Sequence, residues 1–266
     1  MCVISDVRKL VGPSVLTTEK ELALLARVNK EKFAVVKVEG GGSVLITPHG
    51  ELPGGLYLDP SGPHALEVDH KALTATKSAT PLSGAELTAL QGGAAIREAV
   101  DREMQSYCKT HCPGSTCTTY GTSGAGVKVV CCFSTNAAEL SNYWAGKWMS
   151  EWTLEVPMGG SIGTLTGKVQ LNVHYFEDGN VQLDDKVVFQ SELPASVQEV
   201  GGAFVKKVKD SEMGLVAKLE ETYTSMSDNV LQGLRRRLPI TKMKFDWDKV
   251  AVAKLAADLQ KAAHLS

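Results

Sequence analysis

From Val197 onward, apolar residues recur every three or four positions: Val197, Val200, Phe204, Val208, Leu215, Leu219, Tyr223, Met226, Val230 and Leu234, with one gap of seven after Val208. That spacing draws one stripe down an α-helix. Sustained through roughly forty residues, it makes a rod near 60 Å long at about 1.5 Å per residue. So long a single-striped helix must lie along a wide surface. Pro239 ends it, because proline lacks the N–H and clashes with the preceding turn.

Upstream the period changes. Trp148, Ser150, Trp152, Leu154 and Val156 alternate with Lys147, Met149, Glu151, Thr153 and Glu155. Trp144, Trp148 and Trp152 also keep a helix-like spacing, but the period of two holds over the whole run. It predicts a strand over 146–156 with one half-buried face. Residues 163–176 and 181–189 read as two further strands, reversed at Glu177-Asp178-Gly179-Asn180, where Asp-Gly and Gly-Asn tolerate the positive φ of a tight hairpin.

The first half is less regular. Thr17 or Thr18 caps a helix reaching about Asn29, with Glu21 placed for a capping box. Phe33 to Thr47 holds two strands joined at Gly40-Gly41-Gly42, and 48–83 reads as loop with short strands. Ser83 to about Lys109 is predicted helical, with Ile96, Val100, Met104 and Tyr107 on one face. Short strands follow over 116–122 and 126–133, and a short last helix covers about Trp247 to His264. The expected architecture is α+β: one antiparallel sheet, one very long covering helix, a small helical N-terminus and an amphipathic C-terminal tail. As one domain over 1–266, it divides into 1–32 (helical stalk), 33–192 (sheet and helix body), 193–238 (long helix) and 239–266 (tail). An open sheet edge in such a layout favours a partner subunit.

Charge sharpens this picture only at the end. The chain carries a net charge of −2, which gives no reason to expect nucleic acid or a membrane as partner. From Arg235 to Ser266, however, eight Lys and Arg face three Asp, so a tail of +5 follows a body of −7. Beyond Pro239, Val250, Ala251, Leu255, Leu259 and Ala262 share a helical face opposite Lys254, Asp258 and Lys261. A basic segment followed by an uncovered apolar face suits an arm that docks in a groove on an acidic partner. The N-terminus has no secretory pattern and no apolar run is long enough to span a bilayer. The expected setting is cytoplasmic, with the six cysteines reduced.

Candidate chemistry is sparse. Gly163 to Lys168 reads GTLTGK, which lacks the first glycine and the terminal Ser or Thr of a phosphate loop. Cys108, His111, Cys112 and Cys117 offer soft ligands for zinc, but the spacing is not a paired CxxC. Cys117 with His111 is a possible thiol pair. Cys131 and Cys132, adjacent in a strand, point to opposite faces. His174 beside Glu177 and Asp178 could be a general base, yet all three lie at a hairpin end and no GxSxG nucleophile motif occurs. The reading is a non-enzymatic protein without a cofactor, with a thiol or zinc enzyme using Cys108 to Cys117 as its chemical alternative.

Three segments resemble one family. Residues 173–183 (VHYFEDGNVQL) are similar to the hairpin signature of the F-actin-capping alpha subunit family, 142–152 (NYWAGKWMSEW) to its tryptophan-rich strand, and 234–241 (LRRRLPIT) with Lys242, Lys244, Asp246 and Trp247 to its C-terminal signature. Weaker echoes are Val38-Glu39-Gly40, residues 45–50 and Leu58-Asp59-Pro60.

The resemblance implies a mushroom-shaped heterodimer in which the sheet continues into a beta subunit. It also implies calcium-independent capping of the barbed end of the actin filament in the cytoskeleton, and inhibition by acidic phosphoinositides. By position it assigns actin binding to Arg235, Arg236, Lys242 and Lys244, and the apolar tail face to Trp247, Val250, Leu255 and Leu259. The chain reads as a divergent, N-terminally short member, with Gln232 where the family has a lysine, Gly233 just before the basic cluster, and small Ala251 and Ala253 in the tail. A related expectation is a structural subunit at the end of an actin-related filament, as in dynactin.

Overall fold

The computed structural model describes residues 7, 9–10, 17–60, 62–82, 93–176 and 181–226. Helix α1 (Thr18–Glu31) is followed by strands β1 (Ala34–Val38), β2 (Ser43–Ile46), β3 (Tyr57–Leu58), β4 (His64–Asp69) and β5 (Thr74–Pro81). Helix α2 (Ala94–His111) comes next. Then come β6 (Thr116–Ser123), β7 (Gly126–Glu139), β8 (Trp144–Pro157), β9 (Ile162–Tyr175), β10 (Val181–Pro194) and helix α3 (Val197–Met226). The α+β class read from the sequence is the one observed.

The strands form two sheets rather than the single antiparallel sheet expected. The large one runs β10-β9-β8-β7-β6, each strand antiparallel to the next. The small one runs β2-β1-β5-β4-β3 and contains a parallel pair, β1 with β5. The reason is local. Residues 34–81 are broken by Gly40 to Gly42, all at positive φ, and by short 3₁₀ turns at Pro48 and Pro53. The resulting short strands cannot add to the long meander, and close on their own cluster of Val36, Val44, Ile46, Tyr57, Leu66 and Ala75.

Three layers result. On one face of the large sheet, α2 and α3 pack side by side over a core that includes Val129, Phe133, Trp152, Leu154, Leu165, Val200, Phe204 and Val208. Two helices therefore cover the sheet where one was expected. On the other face, over β6 to β8, the small sheet closes a second cluster of Phe33, Leu45, Leu58, Tyr120, Val130, Cys132 and Met149. Cys131 falls in the first cluster and Cys132 in the second, as strand alternation requires.

The alternation predicted for 146–156 is observed in β8 except at Met149, which lies on the face expected to meet water and is buried in the cluster under the small sheet. Trp148, Ser150, Trp152, Leu154 and Val156 are buried, while Glu155 is exposed. Trp152, Gly167 and Phe189 are direct cross-strand neighbours, and the two rings stack over the glycine with centroids 5.9 Å apart. Gly201 serves the helices likewise: a Cβ there would lie 2.6 Å from the Ala99 carbonyl oxygen, so glycine lets α3 cross α2 at backbone contact.

Several boundaries differ from expectation: β7, expected over 126–133, runs to Glu139, and β10, expected over 181–189, runs to Pro194. The helix placed at 83–109 is described from Ala94 to His111, and 83–92 lie outside the described residues. The capping box does not involve Glu21. Thr17 is the N-cap, accepting from the Lys20 backbone N–H at 3.4 Å, while the buried Glu21 pairs with Lys71 at 2.7 Å. The expected helix continuation to 238 also lies outside the described residues.

Candidate functional site

The apolar stripe of α3 explains how it is seated. Val200, Phe204, Val208 and Leu215 are buried against the large sheet and α2. The seven-residue gap in the stripe is filled by a carboxylate. Glu212 Oε2 accepts a 2.8 Å hydrogen bond from the Tyr107 hydroxyl of α2. Its Oε1 is enclosed beside the Trp148 indole, and neither Oε1 nor Trp148 Nε1 makes a hydrogen bond of good geometry among the described residues. Burial pushes the Glu212 carboxyl up to about 7, with Tyr107 pulling against that rise. Desolvation raises the Tyr107 phenol as well, and the facing Glu212 charge adds to it. Tyr107 also stacks on His111 at 5.0 Å.

At the far side of the sheet, β10 is an edge among the described strands, bonded only to β9. Its residues alternate. Leu183, Val187 and Phe189 turn toward the helix layer and remain half-exposed, while Gln182, Asp184, Lys186, Val188, Gln190 and Glu192 are exposed on the opposite face. A cleft of about 210 Å³ opens beside it between Trp152, Phe189, Lys207 and Asp210. Helix α1 exposes three apolar side chains, Leu22, Leu24 and Val28, each at least 41% accessible. Both features present surface that a partner could cover.

The turn after β2 is held to the large sheet by a polar contact as well as by packing. Glu151 on β8 bonds His49 at 3.0 Å and Lys168 at 3.2 Å. The His49 hydrogen bond, aided by Lys168, holds the Glu151 carboxyl down near 2. Lys168, the lysine of GTLTGK, is thus a mid-strand residue of β9 paired to Glu151, and the segment forms no phosphate loop. His174 sits at the end of β9 with its ring 5.4 Å from Phe176; Glu177 and Asp178 lie outside the described residues.

The described cysteines, Cys108, Cys112, Cys117, Cys131 and Cys132, are free thiols. Among the described residues no group of three or more His, Cys, Asp and Glu is arranged to hold a metal ion, so the zinc alternative finds no ligand set there. The thiol of Cys117 is raised, first by its hydrogen bond with Cys108 and then by burial, which is opposite to an activated nucleophile paired with His111. Among the described residues no helix is long and apolar enough to cross a membrane.

The residues assigned to filament binding, Arg235, Arg236, Lys242, Lys244, Trp247, Val250, Leu255 and Leu259, lie outside the described residues, as do Gln232, Gly233, Ala251 and Ala253. What the structure supplies is the seat of α3, which leads the chain toward them. Sequence reasoning missed Glu212, whose signal was the gap in the stripe.

Comparison with known proteins agrees with this geometry. The model of the family described as "F-actin capping protein alpha subunit" matches residues 1–258. The F-actin-capping protein subunit alpha of Dictyostelium discoideum is 34% identical over 263 residues, covering 98% of this chain and 92% of that protein. The subunit of the same name from Chaetomium thermophilum is 29% identical, covering 97% and 89%. A solved structure, the homodimeric actin capping protein alpha subunit from Plasmodium berghei, superposes with a TM-score of 0.70 at 17% identity, covering 90% of this chain and 91% of that one. With a family match over nearly its whole length and a relative above 30% identity, the chain belongs to the F-actin capping protein alpha subunit family.

Proposed function

We propose that this chain is the alpha half of a dimer that binds the barbed end of an actin filament and blocks subunit gain and loss. The observation that carries the reading is the family match over residues 1–258, which includes the basic segment and most of the tail. The division of labour follows the four segments set out from the sequence. Residues 1–32 belong to a stalk, 33–192 to the body, 193–238 to one long helix, and 239–266 to the arm that contacts the filament. Arg235, Arg236, Lys242 and Lys244 meet acidic actin surface, and Trp247, Val250, Leu255 and Leu259 bury into a groove on it. The +5 tail speeds encounter, and that rate falls with salt. Burial of the apolar face then slows release. No bond is made or broken, and the protein works in the cytoplasm on the cytoskeleton without a cofactor.

The open edge of β10 and the exposed Leu22, Leu24 and Val28 of α1 support a beta subunit that extends the large sheet and completes the stalk. A second reading is a homodimer of this chain, favoured by the similar fold of the Plasmodium berghei alpha subunit, whose structure is homodimeric. A third is a place at the end of an actin-related filament, which Gln232 in place of a lysine would suit. Acidic phosphoinositides are proposed to compete for the basic segment.

Co-expression with candidate beta subunits, followed by mass measurement of the purified species, separates these readings. Seeded actin polymerisation then tests capping: growth should stop at nanomolar dimer. Undiminished growth at micromolar dimer rejects the proposal.

A further inference from the structure

We infer that His70 is a proton-sensitive latch, which seats α1 on the turn between β4 and β5 and releases it in mildly acidic solution. Helix α1 is held by polar groups rather than by a core. Its buried residue is a glutamate, Glu21, and no residue of α1 belongs to the buried apolar clusters of the described residues. Near the start of the helix, Glu21 pairs with Lys71 at 2.7 Å. Near its end, Asn29 meets His70, and Lys30 pairs with Glu51 at 2.7 Å.

Two of these three anchors sit on one turn, and that turn is braced. Asp69 Oδ1 accepts from the backbone N–H groups of Lys71 at 2.8 Å and Ala72 at 3.0 Å. The Leu73 N–H donates to the Asp69 carbonyl at 2.8 Å, and the Lys37 N–H of β1 to the Leu73 carbonyl at 3.1 Å. The His70 ring stands edge-on to Tyr57 of β3, with centroids 5.8 Å apart. The body thus holds the ring, and the helix comes to it.

The contact with Asn29 fixes the state of that ring. The Asn29 side-chain NH₂ donates to the His70 carbonyl at 3.0 Å and to ring Nδ1 at 3.3 Å. A ring nitrogen accepts only with a bare lone pair, so the neutral imidazole carries its proton on Nε2. A second proton must go to Nδ1, which sets two N–H donors face to face. Turning the amide over does not relieve this. Its oxygen would then meet the His70 carbonyl oxygen, acceptor against acceptor. Protonation therefore takes a hydrogen bond from the seat of α1 whichever way the amide lies.

The surroundings set the direction. Burial and then Lys30 disfavour charge on the ring, while Asp69 and Glu51 favour it, and the balance holds His70 below its ordinary 6.5. Lys71, next in the chain, is taken up by Glu21. A base depressed in the folded state contributes stability above its ordinary value and loses it as pH falls through the folded one. Helix α1 is therefore tight at neutral pH and loosens in acid. It carries the exposed Leu22, Leu24 and Val28, so the apolar surface it offers changes with pH.

Amide hydrogen exchange tests this. The full-length protein is exchanged at about pH 7.5 and about pH 5.5, with protection corrected for the intrinsic pH dependence of exchange. Peptides from α1 are compared with peptides from α2. Protection of α1 is expected to fall about fivefold relative to α2, the worth of one net hydrogen bond. His70→Gln should remove that fall. Asn29→Asp, whose carboxylate accepts from the charged ring, should reverse it. Equal relative protection of α1 at the two pH values in the wild type overturns the inference, as does an undiminished fall in His70→Gln. If His70→Gln does not fold, an NMR titration of the His70 ring in the wild type decides. The α1 amide shifts should follow the midpoint of the ring, and a separate midpoint overturns the latch.

Discussion

Gly167 lies between Trp152 and Phe189 in one cross-strand row, and a Cβ there would stand 2.1 Å from the Trp152 ring. Gly167→Ala is therefore expected to cost about 2 kcal/mol through overpacking, read as a lower urea midpoint with an altered near-ultraviolet tryptophan band. Glu212 gives the opposite kind of effect. Its folded carboxyl titrates near 7, above the ordinary value of 4.5, so the folded state holds the proton more tightly. Between roughly pH 4.5 and 7 stability should fall as pH rises, and above 7 it should level off. Glu212→Gln keeps the acceptor for Tyr107 and removes the buried charge. We expect it to raise stability at pH 8 by about 2 kcal/mol and to match the wild type near pH 4. Equal stability of the two proteins at pH 8 would contradict the burial argument. In sequence terms this residue was half legible: the gap in the stripe of α3 located it, but nothing before the fold showed that Tyr107 would face it.

At the scale of elements, Glu151 joins the turn after β2 to the large sheet through His49 and carries Lys168 beside it. Its carboxyl is held near 2, below the ordinary 4.5, so this contribution is present above about pH 4.5 and is lost as pH falls toward 2. Glu151→Gln should lower stability at pH 7 by about 2 kcal/mol and lose that difference in acid, measured by chemical unfolding across pH. Gly201→Val should separate α2 from α3, since even a Cβ meets the Ala99 carbonyl and the Glu103 side chain within 2.8 Å. Strong periodicity made β8, β9 and the starts of β10 and α3 readable to within two residues, because long strands with one buried face repeat their pattern many times, while β10 runs five residues past its expected end. The small sheet was not readable as a separate layer. Its short strands carry too few repeats, and the parallel pairing of β1 with β5 depends on contacts distant in sequence. The second covering helix was visible as an element, while its place beside α3 rested on the close approach at Gly201.

For the whole molecule, the decisive features lie at its borders. Truncation after Pro239 is expected to leave the fold and any dimer intact while raising the dimer concentration needed to block seeded filament growth by at least tenfold. Replacing Arg236 and Lys242 with Ala should act in the same direction and steepen at low salt. Capping by truncated dimer at wild-type concentrations would remove the tail from the account. In the sequence those residues show only charge and an amphipathic pattern, and the role expected of them comes from the resemblance. The body that presents them was legible as an alternating sheet under a striped helix. That alternation has a consequence for any strand that pairs along β10. Since side chains there point by turns to the helix layer and to water, a newcomer can be seated only in hops of two residues. A single-step slip would drive its greasy positions into solvent, so the seam rejects misaligned guests before any side-chain contact is optimised.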